Sequence, residues 1–409
     1  MDINYTRFRG IIAGILVLGI CYMPMQIMAQ ADESDDYMEV GGAVRFNLFH
    51  EDYGAAASPN NTQFTLDTWR INFRGQSSGV GINFEYRFYP TFNTHFIKQG
   101  WLDYNFSDQT ELQVGITQVP FGNLQYNSHN WWFQGPYYVG LEDDHDMGFK
   151  LTYQNDNWDL MAAYFVQPEP AGPAYGSAAF GFGGSGRYSY DIIPITGNKP
   201  WDYVLGNNET PQSNYEKNQF NLRYTYNFDY GNGNNTRLGA SAQYGGIYNS
   251  AVDETNSSTA FATHLDGNYG NFNVKAQYTY MNHDAVNDAG NSVDYVYMAA
   301  YGDPYAVASE MNIYTLGIAY SYDVDFGPVT NLNFYDNYTY FDKSNDVFNN
   351  SHQNVLGVMA SAGNIFIYFD IASGYNHPWL TNSFGSGLAN GSSDPRLNTR
   401  FNINIGYYF

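Results

Sequence analysis

The chain has 409 residues and a formal net charge of −23, with 18% aromatic residues, 39 of them Tyr and 29 Phe, against only 14% charged. Such acidity makes nucleic acid a poor partner, and the aromatic load excludes a solvated, disordered chain. The single Cys, Cys21, cannot form an internal disulfide, so an exported form needs another source of rigidity.

Residues 1–31 have the layout of a secretory signal peptide: Arg7 and Arg9, an apolar run from Ile11 to Cys21, then Ala29-Gln30-Ala31 as a small-x-small cleavage site. Cleavage there leaves 32–409 as the mature chain. Leu18-Gly19-Ile20-Cys21 has the outline of a lipidation motif, but Ile20 is too large for the position before a lipidated Cys. No later run reaches the ~20 apolar residues of a spanning helix.

Beyond the leader the dominant period is two, which is a strand signal. In 80–88 every even residue is apolar or aromatic and every odd one polar or Gly. The same dyad sets Phe220, Leu222, Tyr224, Tyr226 and Phe228 against Asn221, Arg223, Thr225 and Asn227. Such runs fall at 38–49, 64–74, 80–89, 96–106, 110–118, 147–153, 158–166, 219–228, 236–245, 260–269, 272–281, 311–322, 330–340, 354–361, 365–373 and 398–409. Most have about the 9–11 residues of a tilted membrane-crossing strand.

Between these sixteen runs, tight turns such as Gln76–Gly79 and Asp229–Asn235 alternate with long connections at 50–63, 119–146, 167–218, 246–259, 282–310, 341–353 and 374–397; 90–95 is the short exception. Short turns on one rim and long loops on the other are the pattern of an outer-membrane barrel. A soluble sandwich or propeller also has many alternating strands. Here, however, the apolar parity is large and nearly charge-free, Asp67, Lys98 and Asp336 excepted, and the polar parity carries more Asn, Gln, Thr, Arg and Glu than a dry core satisfies. The expectation is an all-β, transmembrane antiparallel barrel of sixteen strands, residing in outer-membrane lipid of a diderm bacterium.

The last strand places Phe401, Ile403, Ile405, Tyr407 and Phe409 toward lipid and must close against the first, because a bilayer tolerates no unpaired edge. Its terminal aromatic resembles the sorting signal read by the bacterial barrel-assembly machinery.

Sixteen strands enclose an aqueous channel, which an infolded loop must narrow; 119–146 is the candidate, and 167–218 is a long extracellular loop. The stretch Val114-Gly115-Ile116-Thr117-Gln118-Val119-Pro120-Phe121-Gly122, with the later Asp146-Met147-Gly148, resembles the phosphate-selective porin O/P family. That resemblance implies a homotrimeric anion channel with ladders of Arg and Lys in its lumen. Yet no Lys or Arg lies between Lys98 and Lys150. The loop instead carries Glu142, Asp143, Asp144 and Asp146, with the aromatics Trp131, Trp132, Phe133, Tyr137 and Tyr138.

Bases do stand at lumen parity on the strands: Arg45, Arg70, Arg74, Arg87, Lys150, Arg223, Arg237, Lys275 and Arg400. They either face the loop acids across the opening as a transverse field or bridge to wall acids such as Glu39, Glu85 and Asp103. The loop aromatics either stack on solutes or anchor the loop. Enzyme chemistry finds little support, since there is no G-x-S-x-G and no H-x-x-x-H. Asp284–Gly290 has the outline of a calcium loop, but Val286 sits where an oxygen is needed. No cofactor or metal is expected, although clustered acids around Glu142–Asp146 leave calcium open. The function expected is passive diffusion of small hydrophilic solutes or ions; the alternatives are a non-conducting adhesin or scaffold and an outer-membrane hydrolase.

Overall fold

The computed structural model describes residues 36–53, 61–173, 186–195, 211–381 and 384–409. The proposed leader, with Cys21, lies outside them. Sixteen strands close one antiparallel barrel: β1 (Tyr37–Glu51), β2 (Thr62–Ser77), β3 (Val80–Tyr89), β4 (Thr94–Ser107), β5 (Thr110–Gln118), β6 (His145–Gln154), β7 (Trp158–Pro168), β9 (Asn214–Gly231), β10 (Asn234–Asn249), β11 (Glu254–Tyr269), β12 (Phe272–His283), β15 (Glu310–Phe326), β16 (Val329–Lys343), β17 (Ser351–Ala362), β18 (Ile365–Tyr375) and β19 (Asn398–Tyr408). Each pairs with its neighbours in the chain, across the insertions before β9 and β15, and all sixteen expected runs fall in these strands. β19 closes on β1, from Ala43 opposite Tyr408 to Glu51 opposite Arg400. The closure extends to Phe409, which exchanges backbone hydrogen bonds of 2.8 and 3.0 Å with Gly42.

Side-chain exposure follows the dyad. In β9, Leu222 is 53% exposed on the outer face while Arg223 and Thr225 inside are 3% and 1% exposed. Phe401, Ile405, Tyr407 and Phe409 face outward, Asn402 and Asn404 inward. Two of the three charges that break the outward pattern do so through bulges, where one extra residue re-aims a side chain. Asp67 is inserted between Thr68, opposite Arg45, and Leu66, opposite Phe46. Lys98 is inserted between Gln99, opposite Glu85, and Ile97, opposite Tyr86. Both point inside and are buried; Asp336 does face outward.

Turns on one rim are tight. Ser78-Gly79 and Asn232-Gly233 both carry positive φ at the two central positions, 52° and 78°, 54° and 78°, the backbone that a two-residue hairpin needs to match strand twist. On the other rim, 246–259 is not a long loop: β10 and β11 run on over polar residues to the pair Asn249–Glu254, leaving a turn of 250–253. The reason is that ladder hydrogen bonds continue past the apolar band, where alternation no longer marks them.

A second sheet of three strands, β8 (Asp191–Ile192), β13 (Tyr295–Ala300) and β14 (Asp303–Ala308), forms from the 167–218 and 282–310 connections. Val296, Tyr297 and Tyr305 are wholly buried in it, and Tyr305 Oη donates to Tyr138 O of the constriction loop at 2.6 Å. An aromatic and aliphatic cluster therefore fills the space between this sheet and the loop.

Candidate pore constriction

The connection 119–144 turns into the barrel and runs along one side of it. Its root is closed by Val119 N donating to Asp144 O at 2.8 Å. From there polar side chains of successive wall strands take up its backbone. Gly122 N donates to Ser241 Oγ of β10 at 2.8 Å, Asn123 N to Gln277 Oε1 of β12 at 2.9 Å, His129 N to Asn337 Oδ1 of β16 at 2.9 Å, and Gly135 N to Thr339 Oγ1 at 3.0 Å. Asn127 Nδ2 reaches Thr315 Oγ1 of β15 at 2.8 Å. A buried loop must satisfy its amides somewhere, and these inward Ser, Gln, Asn and Thr residues supply the partners.

Three of the lumen-parity bases serve the same end. Lys150 donates to Gln118 O at 2.9 Å, Arg223 to Gly122 O at 2.8 Å and Lys275 to Tyr126 O at 2.7 Å, pinning the incoming limb every fourth residue. Arg223 and Arg237 also share Asp159, at 2.5 and 2.6 Å. Arg74 stands exposed toward the short-turn rim.

The remaining four bases border the space the loop leaves free. Arg45, Arg70, Arg87 and Arg400 line a cavity of about 320 Å³ together with Tyr126, Trp131, Trp132 and Phe133. Among the described residues Asp67 is the one carboxylate on that lining. Each guanidinium is held: Arg45 by Asp67 at 2.8 Å, Arg70 and Arg87 by Glu85, Arg400 by Glu51 at 3.2 Å. Aromatic faces add to this, Arg400 lying 5.0 Å from the Trp132 ring centroid and Arg70 5.1 Å from that of Tyr408. Of the wall acids expected as bridges, Glu85 is one; Glu39 and Asp103 pair with no base within ion-pair distance among the described residues.

The loop acids do not face these arginines across the opening, because the loop turns them into its own packing. Glu142 Oε1 accepts from Asn127 N at 2.9 Å, and burial pushes its carboxyl up to about 8, so it adds little charge at neutral pH. Asp143 is bound by Lys98 at 3.0 Å and by Tyr188 Oη at 2.5 Å. Asp144 and Asp146 are 6% and 2% exposed and point away from the cavity into a separate cluster at the long-loop rim. Lys98 is the partner that strand parity conceals; the charge in an otherwise apolar register was its signal.

No family model matches the chain, and neither does any curated protein. Solved structures do match. The outer membrane channel DcaP of Acinetobacter baumannii superposes with a TM-score of 0.54 at 10% identity, over 92% of this chain and 99% of that one. The anion-selective porin from Comamonas acidovorans gives 0.51 at 14% identity, over 92% and 100%. OmpT of Vibrio cholerae in its trimer form gives 0.51 at 12% identity, over 91% and 99%. The likeness is one of fold. The chain spans nearly the whole of each.

Proposed function

We propose that the chain is an outer-membrane porin, a passive channel for small hydrophilic solutes, with a preference for anionic ones at its narrowest point. The observation that carries this is the cluster of Arg45, Arg70, Arg87 and Arg400, one from each of the adjacent strands β1, β2, β3 and β19, on the lining of the space that the constriction loop leaves free. Charged side chains at close quarters are how pores select. The overall charge of −23 works in the other direction, but charges more than about 8 Å apart are largely screened at physiological salt. The four guanidiniums exceed by one charge the three carboxylates that hold them, Asp67, Glu85 and Glu51, and this local excess outweighs distant surface acids at working ionic strength. The likeness to an outer membrane channel and to an anion-selective porin accords with this reading, as does the resemblance to the phosphate-selective O/P family; that resemblance and the trimer form of OmpT suggest a trimer.

The test is the reversal potential of the purified barrel in a planar bilayer under a KCl gradient. Wild type is expected on the anion side at 0.15 M or more and nearer to neutral at low salt; Arg45→Gln/Arg70→Gln/Arg400→Gln, which leaves Asp67, Glu85 and Glu51 behind, is expected on the cation side. A cation-selective wild type that the triple variant does not alter sinks the proposal. The aromatic packing above the cavity favours a second reading, a non-conducting binding barrel; absence of any unitary steps would select it.

A further inference from the structure

The long-loop rim holds a group of carboxylates that the channel does not use. Asp144 closes the constriction loop, Asp146 is the second residue of β6 and Asp191 lies in β8, and one oxygen from each falls within 4.8 Å of the others. Glu169, one residue past β7, reaches Asp191. Asp144, Asp146, Glu169 and Asp191 are 6%, 2%, 0% and 1% exposed. Half-buried Glu216 of β9 stands beside them. Among the described residues Arg187, 3.5 Å from Asp191, is the one base paired with any of these carboxylates.

The second observation concerns their free oxygens. Gln219 Nε2 donates to Asp146 Oδ2 at 3.1 Å and Ser189 N to Glu169 Oε1 at 3.0 Å, while Asp144 Oδ1, Asp146 Oδ1 and Glu169 Oε2 are buried with no hydrogen-bond partner. In two of the four carboxylates, then, one oxygen is fixed by a neutral donor and the other is presented bare. That is how outer partners orient first ligands at a metal. Protons are the competing way to balance buried acids, and burial does raise the Asp144, Glu169 and Asp191 carboxyls. Glu169 and Asp191 lie in hydrogen-bonding contact and accommodate one shared proton; a protonated oxygen on Asp144 or Asp146, however, is a donor that needs an acceptor of its own, and Asp144 Oδ1 and Asp146 Oδ1 have none.

We propose that Asp144, Asp146, Glu169 and Asp191 bind one calcium ion, which ties the root of the constriction loop to the long connection after β7. Calcium suits an all-oxygen, irregular site contributed by separate segments; magnesium demands near-octahedral geometry and keeps several waters. The oxygens of Asp144, Asp146 and Asp191 lie near enough together for one ion to touch all three at metal–oxygen distances of about 2.4 Å. The site is independent of ion selectivity at the cavity.

The full barrel, purified in detergent and stripped with EGTA, is titrated calorimetrically with CaCl2 and, separately, MgCl2. One saturable calcium site per chain is expected, weakened about a hundredfold in Asp144→Asn/Asp191→Asn and unchanged in Asp284→Asn, an exposed acid elsewhere. Heat-modifiable migration on a gel checks that each variant has formed its barrel; if the double variant has not, Glu169→Gln, outside the strands, takes its place. No saturable calcium uptake, equal uptake by wild type and the cluster variant, or magnesium binding as tight as calcium overturns the proposal.

Discussion

Gly122 shows how much of the constriction depends on single positions. Its φ is +63°, a backbone that costs an L-residue roughly 1–2 kcal/mol. A Cβ there would lie 2.3 Å from Gln277 Oε1, the acceptor for Asn123 N. Any larger residue therefore strains the turn and displaces the wall group that holds the next amide. Gly122→Val is expected to leave the barrel intact, because nothing in the strand ladder changes, while loosening the loop's incoming limb. Hydrogen exchange read by mass spectrometry should show faster exchange at 121–128 and wild-type protection in β10 and β12; equal exchange in the loop would mean that other contacts hold it unaided.

At the scale of the strand, one rule governs the chain: lipid outside and water inside impose opposite demands on alternate residues. Leu222 is 53% exposed at the middle of β9, so Leu222→Arg should cost about 2–4 kcal/mol of folding stability in lipid vesicles, measurable as a lowered urea midpoint with unchanged slope. A cost near zero would place Leu222 outside the apolar band. The same rule explains what could be read from the sequence. All sixteen strands were legible because each residue pair samples both environments. Asp67 and Lys98 stand out as exceptions to the parity because a bulge inserts one residue and reverses it locally. The outer ends of β10 and β11 and the β8–β13–β14 sheet lie where both faces meet water or protein, so alternation fades. Within the constriction, the arginines at cavity positions could be placed on the lumen side by parity, whereas the directions of Glu142, Asp143, Asp144 and Asp146 depend on irregular backbone, with Asp143 itself at φ 50°.

For the whole molecule, the informative residue is a charge that the outer wall does not explain. Asp336 is the eighth residue of fifteen in β16 and faces outward, accepting from Asn354 Nδ2 at 2.7 Å. Around it Ile318, Phe334, Leu356, Phe369 and Ile371 form a shallow apolar groove. A carboxylate in mid-strand is too far from either interface to reach headgroups, and polar groups facing acyl chains are costly. The cost falls away if a second copy of the chain covers the pair, as it would where this face lies between protomers of the proposed trimer. Asp336→Arg, too large and of the wrong sign for a packed contact, is expected to convert the oligomer to monomers in detergent, whereas Asp336→Asn keeps the bond to Asn354 and should preserve it. Analytical ultracentrifugation of both variants reads the outcome. Should Asp336→Arg sediment as wild type does, the groove meets lipid and the protomers associate through another face.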